Sequence, residues 1–316
     1  MEKVIITGVA GFIGSNLATK LLANGYQVVG IDNLSSGTIN NVPRGVDFHQ
    51  TDIRSRQVHS LLSGAAAVFH LAAMTNLPAC MQDPVSASDV NVTGTANVLE
   101  AARQANVGKF IYADTSAEYE GMSELPAKVD KICPLSPYAV SKHGGALFCE
   151  IYERYFHTAL TVVRYFNVYG PAQDWRRVFP PVVSSFTTKL LRGEQPTIYG
   201  TGKKRRDFIY VDDVNDLHLL ILQTDRVRGK VLNVGSGKNF SISEIFELVE
   251  GKLRTGLRPR FAADMPGEAE ATLADVSEEV KLGWQPRVAI DEGLERSIEY
   301  YRGKILSAKI AGHDDH

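Results

Sequence analysis

The sequence predicts an α/β fold, a doubly wound parallel sheet with helices on both faces, followed by a smaller α/β lobe. Two observations predict it. Short apolar runs alternate with segments of helical length through the first half, and that alternation builds a parallel sheet covered on both sides. Gly8, Gly11 and Gly14 stand between the first apolar run and the first helical segment, where glycine permits a tight turn and close approach of another group.

Val4-Ile5-Ile6 reads as the first buried strand and Asn16 to Leu22 as the helix after it, ended by Asn24-Gly25. Gln27 to Ile31, Val46 to His49 and Ala67 to Leu71 read as the second, third and fourth strands. A long helix is expected over Val85 to Gln104, then the strand Lys109 to Tyr112. Pro137 to Phe156 reads as another long helix, before the strand Leu160 to Arg164. After Asn167 the pattern loosens. Short strands are expected at Thr197 to Tyr199 and Arg206 to Ile209, with helices between, and Val231 to Val234 reads as a strand that could rejoin the main sheet. The expected division is 1–166 and 167–316, the second lobe an elaboration of the first, since no linker, repeat or low-complexity stretch separates them.

The chain has 316 residues, enough for a large core, and a net charge of −2. A near-neutral balance argues against a nucleic-acid partner and for small molecules. Three cysteines, Cys80, Cys133 and Cys149, have no metal-ligand spacing and cannot all pair, which fits a reducing cytoplasm and no metal. The start of the chain lacks the plan of a signal peptide, and no apolar run is long enough to span a membrane. Ala311 to His316 reads as a frayed polar tail.

The glycines between strand and helix form a dinucleotide fingerprint of a Rossmann-type sheet, with pyrophosphate at the helix N-terminus. Their spacing is Gly-x-x-Gly-x-x-Gly. Asp32 ends the second strand, where a carboxylate accepts from the adenosine ribose hydroxyls and repels a 2′-phosphate, so NAD is expected over NADP. Tyr138 and Lys142 lie one helical turn apart, and Ser116 lies upstream. A buried lysine cation favours the phenolate, bringing a phenol toward a useful pH as proton carrier.

Further runs join these in a fixed order. They are Asp32-Asn33-Leu34, Asp52-Ile53, His70-Leu71-Ala72-Ala73, Asn91-Val92-Thr93-Gly94-Thr95, Arg164 to Pro171, Arg206 to Val214 and Asn233 to Gly237. With the glycine turn and the Tyr138/Lys142 pair, the chain resembles the nucleotide-sugar branch of the extended short-chain dehydrogenase/reductase family over nearly its whole length. The resemblance implies an NAD-dependent 4-epimerase of UDP-hexoses: UDP-glucose and UDP-galactose, with the N-acetyl pair UDP-GlcNAc and UDP-GalNAc. It implies Ser116, Tyr138 and Lys142 as catalytic residues. Phe12 and Ile13 are implied at the pyrophosphate, and Asn33 beside Asp32. Asp52 and Ile53 flank the adenine. Leu71, Ala72, Ala73 and Thr75 line the cofactor path, with Asn91 nearby and Phe166 at the nicotinamide. Asn167 and Arg206 are implied at the UDP diphosphate, Val178, Thr197 and Tyr199 around the uridine, and Thr272 at the sugar 2-position. A homodimer is implied, pairing the helices around Val92 to Ala102 and Tyr138 to Tyr152.

The chain departs from the family pattern at three places. Asp114, Glu118 and Glu120 make the serine segment unusually acidic, Ala79-Cys80 replaces a polar pair, and Met265-Pro266-Gly267-Glu268 replaces a run that begins with a diphosphate-binding arginine. Ala117 stands where dehydratase relatives carry an aspartate, so elimination would lack its acid. Ser116-Ala117-Glu118 matches a pattern of UDP-glucuronate decarboxylases, which stay as a rival, alongside UDP-glucuronate 4-epimerases and a non-catalytic NAD-binding protein.

Overall fold

The computed structural model describes residues 1–177, 179–264 and 269–310, with side chains through 307. In chain order the first half runs β1 Lys3–Thr7, α1 Phe12–Ala23, β2 Gln27–Asp32, β3 Asp47–Gln50, α2 Gln57–Leu61, β4 Ala67–His70, α3 Leu77–Gln82, α4 Pro84–Ser88, α5 Thr95–Gln104, β5 Lys109–Thr115, α6 Pro137–Phe156 and β6 Leu160–Tyr165. The second half runs β7 Asn167–Tyr169, α7 Val182–Leu191, β8 Thr197–Tyr199, β9 Arg205–Tyr210, α8 Val211–Gln223, β10 Lys230–Val234, β11 Asn239–Ser241, α9 Ile242–Leu253, β12 Arg260–Ala262, α10 Ser277–Lys281 and α11 Ile290–Ile310.

Among the described residues seven strands form one parallel sheet in the order β10-β6-β5-β4-β1-β2-β3. Side chains alternate between its faces. Ile6, Phe69, Ile111 and Val163 meet Leu17 and Leu21 of α1 and Leu217 and Ile221 of α8 on one face. Ile5, Val68, Phe110 and Val162 meet Val98 and Leu99 of α5 and Cys149 of α6 on the other. Each such fully buried side chain contributes about 1.5–3 kcal/mol. A third core, with Phe186, Ile198, Phe246 and Ile298, lies in the second half among α7, α9 and α11. Strand β10 belongs to the main sheet, paired with β6 from Lys230↔Thr161 to Val234↔Tyr165.

Two expectations change. Strand β5 runs on to Thr115, three residues past the expected end, and its last residues pair with Val163, Arg164 and Tyr165. The helix expected over Val85 to Gln104 is broken into α4 and α5 by one turn of π-helix, Asp89–Gly94. Insertions of this kind are frequent at functional sites. The three cysteines are free, and among the described residues no cluster of metal-ligating side chains occurs and no helix is long and apolar enough to cross a membrane.

Candidate active site

Because the strands are parallel, their C-terminal ends share one edge of the sheet, where ligands of open α/β folds bind. The Gly8 turn follows β1, Asp32 ends β2, Leu71 to Thr75 follow β4, Thr115 ends β5 and Phe166-Asn167 follow β6.

The glycine turn is a cradle a side chain would fill. Gly8 has φ +76°, and a Cβ there would sit 2.8 Å from the amide nitrogen of Ala72; a Cβ on Gly14 would sit 2.1 Å from the Gly8 carbonyl oxygen. Helix α1 has Gly11 at its N-cap, so no side chain caps it, and no acidic residue lies in its first turn; the first N–H groups, those of Phe12 and Ile13 among them, suit an anion. Asp32 closes the turn. Its carboxylate accepts from the N–H of Ala10 at 3.0 Å and of Leu34 at 2.8 Å. Burial pushes its pKa up, and those two bonds oppose the rise. Asn33 donates to Asp52 at 2.8 Å, and the Arg54 guanidinium holds Asp52 well below the usual carboxylate range. Ile53 packs against Gly94 in the π turn. These groups and the uncapped helix fit a dinucleotide diphosphate and ribose.

The wall formed by Leu71, Ala72, Ala73 and the exposed Thr75 is held from behind. Thr7 Oγ1 accepts from the Ala72 N–H at 3.2 Å and lies 2.7 Å from His70 Nδ1. Thr95 gives its hydroxyl proton to the Asn91 carbonyl, so His70 Nε2 donates to Thr95 at 3.0 Å and Nδ1 accepts from Thr7. Burial and the nearby Lys142 charge push His70 down to about 3, keeping it neutral. Asn91 is fully buried and turned to neighbours: Oδ1 accepts from Met74 N–H at 2.8 Å, and Nδ2 donates to Met74 O at 3.0 Å and Ser141 Oγ at 2.9 Å. Ser141 in turn donates to the Tyr138 carbonyl at 2.8 Å. The π turn therefore ties the wall to α6.

Helix α6 starts with Ser136, whose hydroxyl accepts from Ala139 N–H, and Pro137 in its first turn. The cap places Tyr138 in the first turn and Lys142 in the second, over β5. Lys142 is 3% exposed, and its ammonium sits 4.2 Å from the centre of the Tyr112 ring. The Thr115 hydroxyl acts on the Tyr138 phenol, and Ser116, the residue expected to serve it, is the next in the chain. Thr115 is the last residue of the longer β5, and Ser116 opens a 3-10 turn, Ser116–Tyr119. The expected lowering of the phenol pKa is also not what this arrangement gives. Burial pushes Tyr138 up and the Asp114 charge adds to it, while the Thr115 hydrogen bond and the Arg177 charge pull down. Burial brings Lys142 down to about 8.

Beneath α6 lies a network that sequence reading noted only as unusual acidity. Arg164 reaches Asp114 at 3.0 Å, Glu118 at 3.4 Å and the Tyr119 hydroxyl at 3.0 Å. Glu118 is fully buried, with Arg164 and His143 on its carboxylate.

On the substrate side, Asn167 Nδ2 donates to the Asp207 carbonyl at 3.2 Å and to Thr272 Oγ1 at 3.4 Å, and Thr272 Oγ1 also accepts from Asp207 N–H at 3.1 Å. Asn167 and Thr272 thus meet. Arg206 is half-buried on β9, with Nη1 donating to its neighbour's carbonyl. Phe166 is buried, stacked on Tyr119 with ring centres 6.0 Å apart. Thr197 and Tyr199 lie on β8, the first accepting from Arg260 and the second against Phe179. Asp207 is the residue sequence reading missed as an organiser: its carboxylate accepts from Ser236, Gly237 and Ala274, fixing the floor under Thr272. Val178, the Met265 to Glu268 departure and the tail Ala311 to His316 lie outside the described residues.

A family model described as "NAD dependent epimerase/dehydratase family" matches residues 4–235. Three solved structures are similar over almost the whole chain. One is the UDP-glucose 4-epimerase of Thermotoga maritima with UDP-glucose, at 33% identity, 96% of this chain and 99% of that one, and TM-score 0.93. The second is a UDP-N-acetylglucosamine 4-epimerase from Methanobrevibacter ruminantium in complex with UDP-N-acetylmuramic acid, at 29% identity, the same coverages and TM-score 0.92. The third is the UDP-glucuronic acid 4-epimerase of Bacillus cereus with UDP-glucuronic acid and NAD, at 32% identity, 96% and 99% coverage and TM-score 0.89.

Proposed function

We propose, on the premise that this chain belongs to the NAD dependent epimerase/dehydratase family and is an NAD-dependent nucleotide-sugar epimerase, that it inverts C4 of a UDP-hexose through a 4-keto sugar. The observation that carries this is Tyr138 in the first turn of α6 with Lys142 one turn on, and the hydroxyl pair Thr115-Ser116 at the end of β5. NAD, held by the glycine turn and Asp32, would supply a hydride acceptor and donor for C4 and would not be consumed. Tyr138 takes the proton of the 4-hydroxyl and returns it after the sugar has turned over. Ser116, with Thr115 just before it at the end of β5, donates to the same oxygen, and Lys142 holds positive charge beside them. Asn167 and Arg206 hold the diphosphate, and Gly8 to Gly14 with Asp32 hold the cofactor. Residues 1–166 carry the cofactor in this reading, and 167–316 mainly the nucleotide sugar.

The test is incubation with UDP-glucose, UDP-GlcNAc and UDP-glucuronate in turn, followed by NMR. Equilibration of one of them with its C4 epimer is expected, and inertness toward all three would sink the reading. The half-buried Thr272, hydrogen-bonded to Asn167, leaves room at the sugar 2-position, so the N-acetyl pair is accepted alongside the plain hexoses. Thr272→Tyr is expected to lower kcat/KM for the N-acetyl pair about tenfold or more relative to the plain pair, because steric exclusion is readily built while mere space gives little preference. An unchanged ratio would remove Thr272 as the gate. A second reading, UDP-glucuronate as substrate, is favoured by Arg177, a guanidinium whose charge acts on the Tyr138 phenol and could pair with a sugar carboxylate.

The protein acts as a homodimer in this reading. Val140, Leu147, Phe148, Ile151 and Tyr155 make a stripe along α6, each at least 40% exposed, continued by Met81 and Val85. A second copy, laying its own α6 across this one, would cover it. Sedimentation at micromolar concentration is expected to give a dimer, and Leu147→Asp with Ile151→Asp a monomer; a monomeric parent would refute the proposal.

A further inference from the structure

Asp114 and Glu118 are both fully buried at the side chain and each offers one oxygen to a cation. Asp114 Oδ2 accepts from Arg164 Nε at 3.0 Å; Glu118 Oε2 lies 3.1 Å from His143 Nδ1 and 3.4 Å from Arg164 Nη2. Their other oxygens, Asp114 Oδ1 and Glu118 Oε1, are buried with no hydrogen-bond partner among the described residues. Two carboxyl groups gathered on one guanidinium in a buried site cannot both stay ionised without cost, and two buried acceptors left empty are costly as well. One proton held between the two empty oxygens answers both problems.

This pair lies under the second turn of α6. Lys142 is faced by Asp114 and Tyr112 from β5, by Glu118 from the turn after it, by His70 from β4, and by Cys149 from α6 itself. Glu118 is faced by Asp114, by Arg164 from β6, and by Lys142 and His143 from α6. We propose that Asp114 and Glu118 share a single proton across their unpartnered oxygens, and that this acid pair, clamped by Arg164, keeps Lys142 cationic as the pH rises. The pair acts through Lys142 and so is a positioning device. Its proton can reach water through His143, whose side chain is 28% exposed and lines a cleft of about 390 Å³ between α6 and β10, along with Arg164, Glu153 and Lys230.

The sign follows from the charges. Burial pulls Lys142 down to about 8, and the negative charges of Asp114 and Glu118 oppose it. Burial and Asp114 push Glu118 up to about 8, while Arg164 and Lys142 pull it back. The two groups therefore titrate together. When the pair gives up its proton, it becomes more negative, and Lys142 binds its own proton more tightly. Glutamine at 118 resembles the protonated pair but cannot ionise.

The inference rests on Lys142 serving the reacting phenol. The holoenzyme with its epimerised sugar tests it, through kcat against pH between about pH 6 and pH 10. In Glu118→Gln the alkaline limb is expected to move down by about one pH unit, a tenfold change in proton affinity. Asp114→Asn should move it further, because Asp114 is the larger support of the Lys142 charge. A purely structural role would lower kcat at every pH without moving the limb, and that result overturns the proposal. Infrared difference spectra of the unmodified holoenzyme across the same range should show a protonated carboxyl losing its proton, with the band assigned by its absence in Glu118→Gln. Absence of any such band in the parent overturns the shared proton even if a variant fails to fold. This second measurement needs no turnover, so failure of the pair and failure of the epimerase reading are distinguishable.

Discussion

Replacing Tyr138 with phenylalanine is expected to cut kcat by about 10³-fold while NAD remains bound. The substitution removes one oxygen at the first turn of α6 and leaves the apolar ring in place. The cofactor groups, Gly8 to Gly14 and Asp32, lie at the ends of β1 and β2 and do not involve that oxygen. KM should change little, since the phenol acts on the transferring proton and not on the diphosphate. Steady-state kinetics with the preferred UDP-sugar, beside nucleotide released from denatured protein, checks both halves. Turnover within tenfold of the parent would end the assignment of Tyr138 as proton carrier. Ser116→Ala and Thr115→Val separate the two neighbouring hydroxyls: loss of the one that serves the sugar oxygen is expected to cost about 10²-fold, and loss of the other far less.

Gly14→Ala is expected to abolish NAD binding and to destabilise the protein by about 1–3 kcal/mol or more. The added methyl would lie 2.1 Å from the Gly8 carbonyl oxygen and 2.9 Å from Val9 Cα. Both are backbone, so no rotamer change relieves the clash, and the turn and α1 must separate. That separation opens the site where the first N–H groups of α1 converge. A control at Gly303 on α11, where an added Cβ meets nothing within 4 Å, should leave the melting temperature and bound NAD near the parent values. Retention of a full complement of NAD by the Gly14 variant would show that the helix does not need this approach to β1.

The cofactor half was legible because each of its parts has a local physical cause. Val4 to Ile6 and Ala67 to Leu71 are apolar runs, and the glycines between strand and helix have no cheaper explanation than close approach of backbone. The end of β5 was not legible. Asp114 reads as loop because an isolated aspartate does not belong in a buried strand; it is tolerated because the register sets Arg164 opposite it. That pairing joins residues 50 apart in the chain, and nothing near either announces it. The π turn at Asp89–Gly94 was equally hidden: Asn91 within it bonds Met74 and Ser141, 17 and 50 residues away in the chain. The pair β8 with β12 escaped because Arg260–Ala262 is exposed and carries no apolar alternation.

The place of β10 has a consequence for how the molecule comes into being. Strand β6 is complete at residue 165, but its outer neighbour in the sheet is not made until residues 230–234. At about 5–20 residues per second of synthesis, the emerging sheet carries an open flank for several seconds at least. An uncovered strand edge is a template for another chain. Until Lys230 to Val234 arrive, the nascent protein is exposed to mispairing on that side, and chaperone demand during translation should fall there, well after the glycine turn and the Tyr138 helix have emerged.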